Sequence, residues 1–236
     1  MNDSIVKPRR RTAAAWLAAA GLLSAAPGAY AADAALGKTI ATQGSATGAA
    51  ACIGCHGAHG EGIAAAGFPR LAGVPAAYLS AQLAAFADGS RQNPVMQPLA
   101  KLLPAPERDA VAAYFAALPA PPGIAAGDDA PIAPSDTGAW LATRGRWTDG
   151  LPACAQCHGP GGIGVGAAFP PLAGQPAAYL AGQLHAWQQG TRPPGPMALM
   201  PHIAGKLSDA DIDAVAAYYA RTGATPAVAA TQRSTP

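Results

Sequence analysis

The pentapeptide Cys-x-x-Cys-His occurs twice, as Cys52-Ile53-Gly54-Cys55-His56 and as Cys154-Ala155-Gln156-Cys157-His158, and uses all four cysteines of a 236-residue chain. Whatever the chain folds into must present the same five-residue site two times. Cys-x-x-Cys-His is the attachment signature of c-type haem. Two thiols three positions apart each add across one vinyl group of a single porphyrin, and the adjacent histidine reaches the iron from one face. A thioredoxin-like redox pair would sit in a strand–helix alternation, which this sequence lacks. A zinc site gives no reason for a histidine directly after each pair. Two covalently attached haem c groups are therefore the expected cofactors.

The N-terminus reads as an address. Lys7, Arg9, Arg10 and Arg11 precede an apolar run from Ala13 to Leu23, and Ala29-Tyr30-Ala31 offers a small-residue cleavage site. The run is shorter than the roughly 20 residues of a spanning helix. Residues 1–31 are thus expected to be a cleaved signal peptide, with the bacterial periplasm as destination. The formal charge of +2 belongs to that leader: without residues 1–31 the chain keeps 11 Lys+Arg and 12 Asp+Glu, a net charge of −1. No basic run survives, so nucleic-acid binding is not expected.

The rest reads as one module used twice. Phe68-Pro69-Arg70-Leu71-Ala72-Gly73 matches Phe169-Pro170-Pro171-Leu172-Ala173-Gly174, and Pro75-Ala76-Ala77-Tyr78-Leu79 matches Pro176-Ala177-Ala178-Tyr179-Leu180. Gln82, Phe86 and Arg91 return as Gln183, Trp187 and Arg192, and Asp109 to Phe115 returns as Asp213 to Tyr219. The expected architecture is all-α: lobe 1 over residues 32–118, a Pro/Gly/Asp-rich linker over 119–136, lobe 2 over 137–222, and a flexible tail over 223–236. Each lobe is small for a domain without a cofactor to complete its core. First helices are expected near Asp33–Gln43 and Thr137–Arg146, and second helices opening on Pro75 and Pro176. Tyr78, Gln82 and Phe86, like Tyr179, Gln183 and Trp187, recur at helical spacing and predict one buried face. Ser208-Asp209-Ala210-Asp211 reads as a capping box that starts the last helix.

An iron held by histidine needs a sixth ligand if it is only to pass electrons. Met96 is the single methionine of lobe 1, on the Pro-rich stretch Asn93 to Pro98. Lobe 2 offers Met197 and Met200. Met96 and Met200 are 104 residues apart, as are Asp109 and Asp213, whereas Met197 matches when counting forward from Gly89 and Gly190, which are 101 apart. Met200 is preferred, because the ligand loop packs on the following helix; Met197 is the fallback. A neutral, soft thioether favours Fe(II) and raises the potential. The second nitrogen of each histidine needs an acceptor, for which the Pro69 and Pro170 carbonyls are candidates. Arg91 and Arg192 suit haem propionates or a solvated helix end. His59, His185 and His202 have no counterparts in the other copy and read as surface or loop residues.

Together, the two Cys-x-x-Cys-His-Gly motifs, the two Phe-Pro-x-Leu-Ala-Gly motifs, the two Tyr-Leu-x-x-Gln-Leu helices and Met200 leading into Leu207-Ser208-Asp209-Ala210-Asp211-Ile212 resemble the dihaem cytochromes c of the c4 type, from about Asp33 to Thr222. The resemblance implies two tandem class I cytochrome c lobes related by a pseudo-twofold axis, each wrapped around one haem. It implies Cys52, Cys55, Cys154 and Cys157 as haem attachments, with His56, Met96, His158 and Met200 on the irons. Members of that family are periplasmic carriers, some loosely membrane-associated, whose redox partners include quinol-oxidising complexes and terminal oxidases. Pro104-Ala105-Pro106 departs from the usual start of the last helix of lobe 1. Three functions stay open: a soluble electron carrier, the cytochrome subunit of a dehydrogenase or flavocytochrome complex, and a dihaem enzyme such as a peroxidase or thiosulfate dehydrogenase.

Overall fold

A computed structural model describes residues 27–120 and 132–222. The expected signal peptide up to residue 26, the middle of the expected linker and the expected tail lie outside the described residues. Ten α-helices and no strand occur among the described residues, with three isolated bridges, Ile63↔Phe68, Arg146↔Leu151 and Val165↔Phe169. Lobe 1 holds α1 (Pro27–Gln43), α2 (Ile53–His56), α3 (Ala76–Asp88), α4 (Met96–Lys101) and α5 (Ala105–Ala117). Lobe 2 repeats them as α6 (Thr137–Thr143), α7 (Ala155–His158), α8 (Ala177–Gln188), α9 (Leu199–Ala204) and α10 (Asp209–Arg221).

In each lobe the first and last helices cross at a glycine. A Cβ on Gly37 would lie 2.1 Å from the Ala110 carbonyl oxygen, and one on Gly138 would lie 2.3 Å from that of Ala214, so neither crossing admits a side chain. The core of lobe 1 gathers Ile40, Val74, Leu79, Leu103, Val111 and Phe115. Lobe 2 divides its core into Leu180, Val215 and Tyr219 on one side and Leu141, Leu151, Leu207 and Ile212 on the other.

Four local expectations are adjusted. Helix α1 begins at Pro27, so it runs through the expected cleavage site, and α6 ends at Thr143. Arg146 lies beyond it in a bridged turn, where its guanidinium pairs with Asp149 and Asp211. Pro75 and Pro176 stand one residue before their helices, at the N-cap with ψ near 132° and 133°, because an extended cap lets their carbonyls accept the first helical bonds. Helix α5 starts despite Pro104 and Pro106, since the first turn needs no donor from either. The capping box of α10 forms as read: Ser208 Oγ accepts from the Asp211 N–H at 3.2 Å, and Asp211 accepts from the Ser208 N–H at 3.0 Å.

The Tyr78/Gln82/Phe86 face is covered partly by its own lobe, where Tyr78 packs on the core and Arg91 on Phe86, and partly by the other lobe. Arg192 donates to the Tyr78 hydroxyl at 2.6 Å and to Gln82 at 3.3 Å, and Arg91 returns the contact to Tyr179 at 3.1 Å and to Gln183. The two α3/α8 faces therefore meet across a seam with approximate twofold symmetry. A backbone bond from Gln92 N–H to the Thr191 carbonyl, 2.9 Å, lies in the same seam.

One polar atom separates the two cores. Tyr219 holds the place of Phe115, is 2 % exposed, and its hydroxyl lies beside the Cys154 thiol.

Candidate haem-binding sites

Each Cys-x-x-Cys-His motif forms a single helical turn. The His56 N–H bonds the Cys52 carbonyl and the His158 N–H the Cys154 carbonyl, both at 2.9 Å. One turn puts the cysteines at i and i+3 on the same side, with the histidine next to them. No disulfide joins any of the four cysteines. Burial pushes Cys52 and Cys154 up to about 11, so both are neutral thiols near pH 7. Among the described residues no group of three or more His, Cys, Asp or Glu side chains is placed to hold a metal ion, so the donor set fits thioether attachment better than a zinc knuckle.

The histidines are 6 % and 7 % exposed, and each is fixed from behind. His56 Nδ1 lies 2.9 Å from the Pro69 carbonyl oxygen, and His158 Nδ1 lies 2.7 Å from that of Pro170. A carbonyl only accepts, so Nδ1 carries the proton and Nε2 presents its lone pair. Burial pushes both imidazoles below their ordinary pKa, outweighing the proline carbonyls that raise it; Arg192 adds to the lowering at His158. Both rings are thus held neutral, in the form that binds a metal.

The Phe-Pro repeat explains this support. Phe68 packs on His56 with ring centroids 6.2 Å apart, Phe169 on His158 at 6.0 Å, and the next residue supplies the carbonyl. A glycine four residues after each histidine ties the loop down. The Gly60 carbonyl accepts from Leu71 and Ala72 at 2.8 and 2.9 Å, and the Gly162 carbonyl from Leu172 and Ala173 at 2.8 and 3.0 Å. Both glycines have positive φ, and a Cβ would strike Phe115 or Tyr219. Sequence reading missed these two residues as site supports; their recurrence four places after each histidine was the available signal.

The methionines sit on different elements. Met96 opens α4, with its N–H and that of Val95 held by the Asn93 side chain at 2.9 and 3.0 Å. Met200 is the second residue of α9. Each is half-buried and stands four residues before a wholly buried alanine, Ala100 or Ala204, and seven before a buried leucine, Leu103 or Leu207. Met197 is 85 % exposed, in a turn where it and Ala198 have φ of 59° and 51°. His59 and His202 are exposed and His185 is half-buried.

Arg91 and Arg192 are not on solvated helix ends: both are buried, stacked on Phe86 and Trp187 with 4.4 and 3.9 Å from guanidinium carbon to ring centroid. Their hydrogen-bond partners are Gln82, Gln183, Tyr78 and Tyr179, and among the described residues neither makes a salt bridge. Burial works to raise the Tyr179 phenol, yet the two guanidinium groups outweigh it and hold its pKa below the usual value.

Comparison with known proteins agrees with this architecture. The family described as cytochrome c matches residues 34–119, and that described as cytochrome c oxidase, cbb3-type, subunit III matches residues 144–218. The thiosulfate dehydrogenase electron acceptor of Stutzerimonas stutzeri (strain A1501) is 54 % identical over 81 % of this chain and 88 % of its own length. The reduced recombinant cytochrome c4 of Pseudomonas stutzeri superposes with a TM-score of 0.66 at 32 % identity, over 80 % of this chain and 97 % of that one. Thiosulfate dehydrogenase (TsdBA) from Marichromatium purpuratum superposes with a TM-score of 0.72 at 47 % identity over 80 % of this chain, which spans only 40 % of that longer protein. Two cytochrome c lobes, each with its Cys-x-x-Cys-His turn, carry two covalently bound haem c groups. The chain belongs to the dihaem c-type cytochromes of the cytochrome c4 family, electron-carrying proteins among which the thiosulfate dehydrogenase electron acceptors are its relatives.

Proposed function

We propose that this chain is the periplasmic electron acceptor of a thiosulfate-oxidising dehydrogenase and passes single electrons on without itself catalysing bond chemistry. The observation that carries the partner is the 54 % identity to a thiosulfate dehydrogenase electron acceptor over 88 % of that relative. The leader at residues 1–31 supports the compartment, and no helix among the described residues is long and apolar enough to cross a membrane. Onward transfer to a terminal oxidase, and electron supply by a quinol-oxidising complex, form a second reading that the likeness to cytochrome c4 favours.

In this reading Cys52 and Cys55 hold one haem and Cys154 and Cys157 the other, with His56/Met96 and His158/Met200 on the two irons. Bound haem supplies a low-spin Fe(III)/Fe(II) couple whose geometry changes little with redox state. The protein contributes neutral imidazoles fixed through Nδ1 and soft thioethers, and the thioethers favour the reduced iron. The shared spacing of Met96 and Met200 to a buried alanine and leucine supports Met200 over Met197.

Arg91 and Arg192 are assigned as the counter-charges of haem propionates, because two buried cations need anions that the described residues do not supply. Removing both as Arg91→Gln/Arg192→Gln is expected to make the midpoint potentials pH-dependent. Without the guanidinium groups propionate ionisation moves up towards neutral pH. Ionised propionate stabilises Fe(III), so the potentials fall as pH rises, by up to about 59 mV per pH unit for one coupled proton. Potentiometric titration of wild type over the same range should be nearly flat.

The partner assignment is tested by mixing oxidised chain with thiosulfate, with and without a thiosulfate dehydrogenase. Reduction of both haems only when the enzyme is present is the expected result. Reduction by thiosulfate alone would make the chain itself the enzyme, and no reduction with the enzyme would overturn the partner.

A further inference from the structure

The seam between the lobes is built largely from pairs that obey the internal repeat, with the Gln92–Thr191 backbone bond and one side-chain contact as the exceptions. Arg70 and Gln175 make a contact that has no symmetric copy. The Arg70 N–H donates to Gln175 Oε1 at 3.0 Å, and Gln175 Nε2 donates back to the Arg70 carbonyl at 2.9 Å. The Arg70 guanidinium then forks, with Nη1 on the Ala72 carbonyl of its own lobe and Nη2 on the Ala173 carbonyl of the other at 2.9 Å. Ala72 and Ala173 are counterparts in the repeat, 101 residues apart. One guanidinium bridging two equivalent carbonyls lies close to the pseudo-twofold axis. A residue on such an axis would collide with its own copy, so the repeat has to diverge there, and it does. The counterpart of Arg70 is Pro171, which has no N–H to give, and the counterpart of Gln175 is Val74, which has no amide.

Stability does not explain this choice. Arg70 is 3 % exposed, and among the described residues its guanidinium meets carbonyls but no carboxylate, with no partner on Nε. Burying a cation this way is unfavourable compared with an apolar side chain of similar length. What the fork secures is position. Pro69, whose carbonyl orients His56, directly precedes Arg70, and the Ala173 carbonyl belongs to the loop whose Pro170 orients His158. The planar fork therefore clamps the two histidine-supporting loops to each other.

We infer that Arg70 and Gln175 are positioning residues that hold the two haem lobes in register for electron exchange between them. This rests on the dihaem carrier reading above. Arg70→Met and Gln175→Val remove the clamp from either side. The methionine variant sheds a buried cation, and valine already stands at the equivalent place in lobe 1, so both variants are expected to fold. Three readouts on the holoprotein separate the outcomes: optical spectra, the bimolecular rate of reduction by a small-molecule donor, and the intramolecular exchange rate between haems after flash reduction. Spectra and bimolecular rates within twofold of wild type, with intramolecular exchange slowed at least tenfold in both variants, are expected. Exchange within twofold of wild type in both variants, or in Gln175→Val if Arg70→Met does not mature, would overturn the inference. A high-spin iron in the wild-type spectrum would instead count against the carrier reading.

Discussion

Met200→Leu should convert the second haem from six-coordinate low-spin to five-coordinate high-spin, abolish half of the methionine-to-iron charge-transfer absorption, and let carbon monoxide bind the reduced protein. The potential of that haem should drop by a few tenths of a volt, within the roughly 0.8 V that axial ligation spans. Met197→Leu should leave all three properties as they are. The two residues differ in kind: Met197 is 85 % exposed in a turn of positive φ, while Met200 occupies the register of Met96 on a helix packed into its lobe. If Met197→Leu produced the high-spin haem instead, the count from the last helix would be the wrong ruler. Low-spin spectra in both variants would exclude methionine ligation of that iron.

The second large effect concerns the fold. Cys154→Ser/Cys157→Ser should yield protein with half the haem, in which lobe 2 is cleaved rapidly by protease while lobe 1 keeps its spectrum. The two core clusters of lobe 2 number five and four buried residues, and His158 is itself buried. Units of this size ordinarily depend on a staple or cofactor. A protease-resistant lobe 2 lacking haem would show that the helices hold without it.

Much of this was legible in the sequence, for reasons that can be traced residue by residue. The two Cys-x-x-Cys-His turns, the Pro69 and Pro170 acceptors and the Ser208/Asp211 capping box are local, so short motifs carried them. The Tyr78/Gln82/Phe86 periodicity showed that a face is buried but not what buries it; part of its cover is the other lobe, more than a hundred residues away along the chain. Arg91 and Arg192 read as propionate partners or as a solvated helix end, and only the meeting of two copies makes them interior. Arg70 and Gln175 were visible only as mismatches in the repeat. Their meaning depends on lying close to an axis, which no linear comparison contains. Proline at 75 and 176 stands one place earlier than expected, since it is the extended N-cap that its fixed φ suits.

The central claim is that both irons are filled by histidine and methionine, and optical spectroscopy of the oxidised and reduced protein, with and without carbon monoxide, tests it most directly. Two low-spin haems, charge-transfer absorption for two methionine–iron bonds and no change with carbon monoxide are predicted. A high-spin fraction in the oxidised protein, or a carbon monoxide adduct of the reduced protein, would contradict it and move the chain from the carriers to the enzymes.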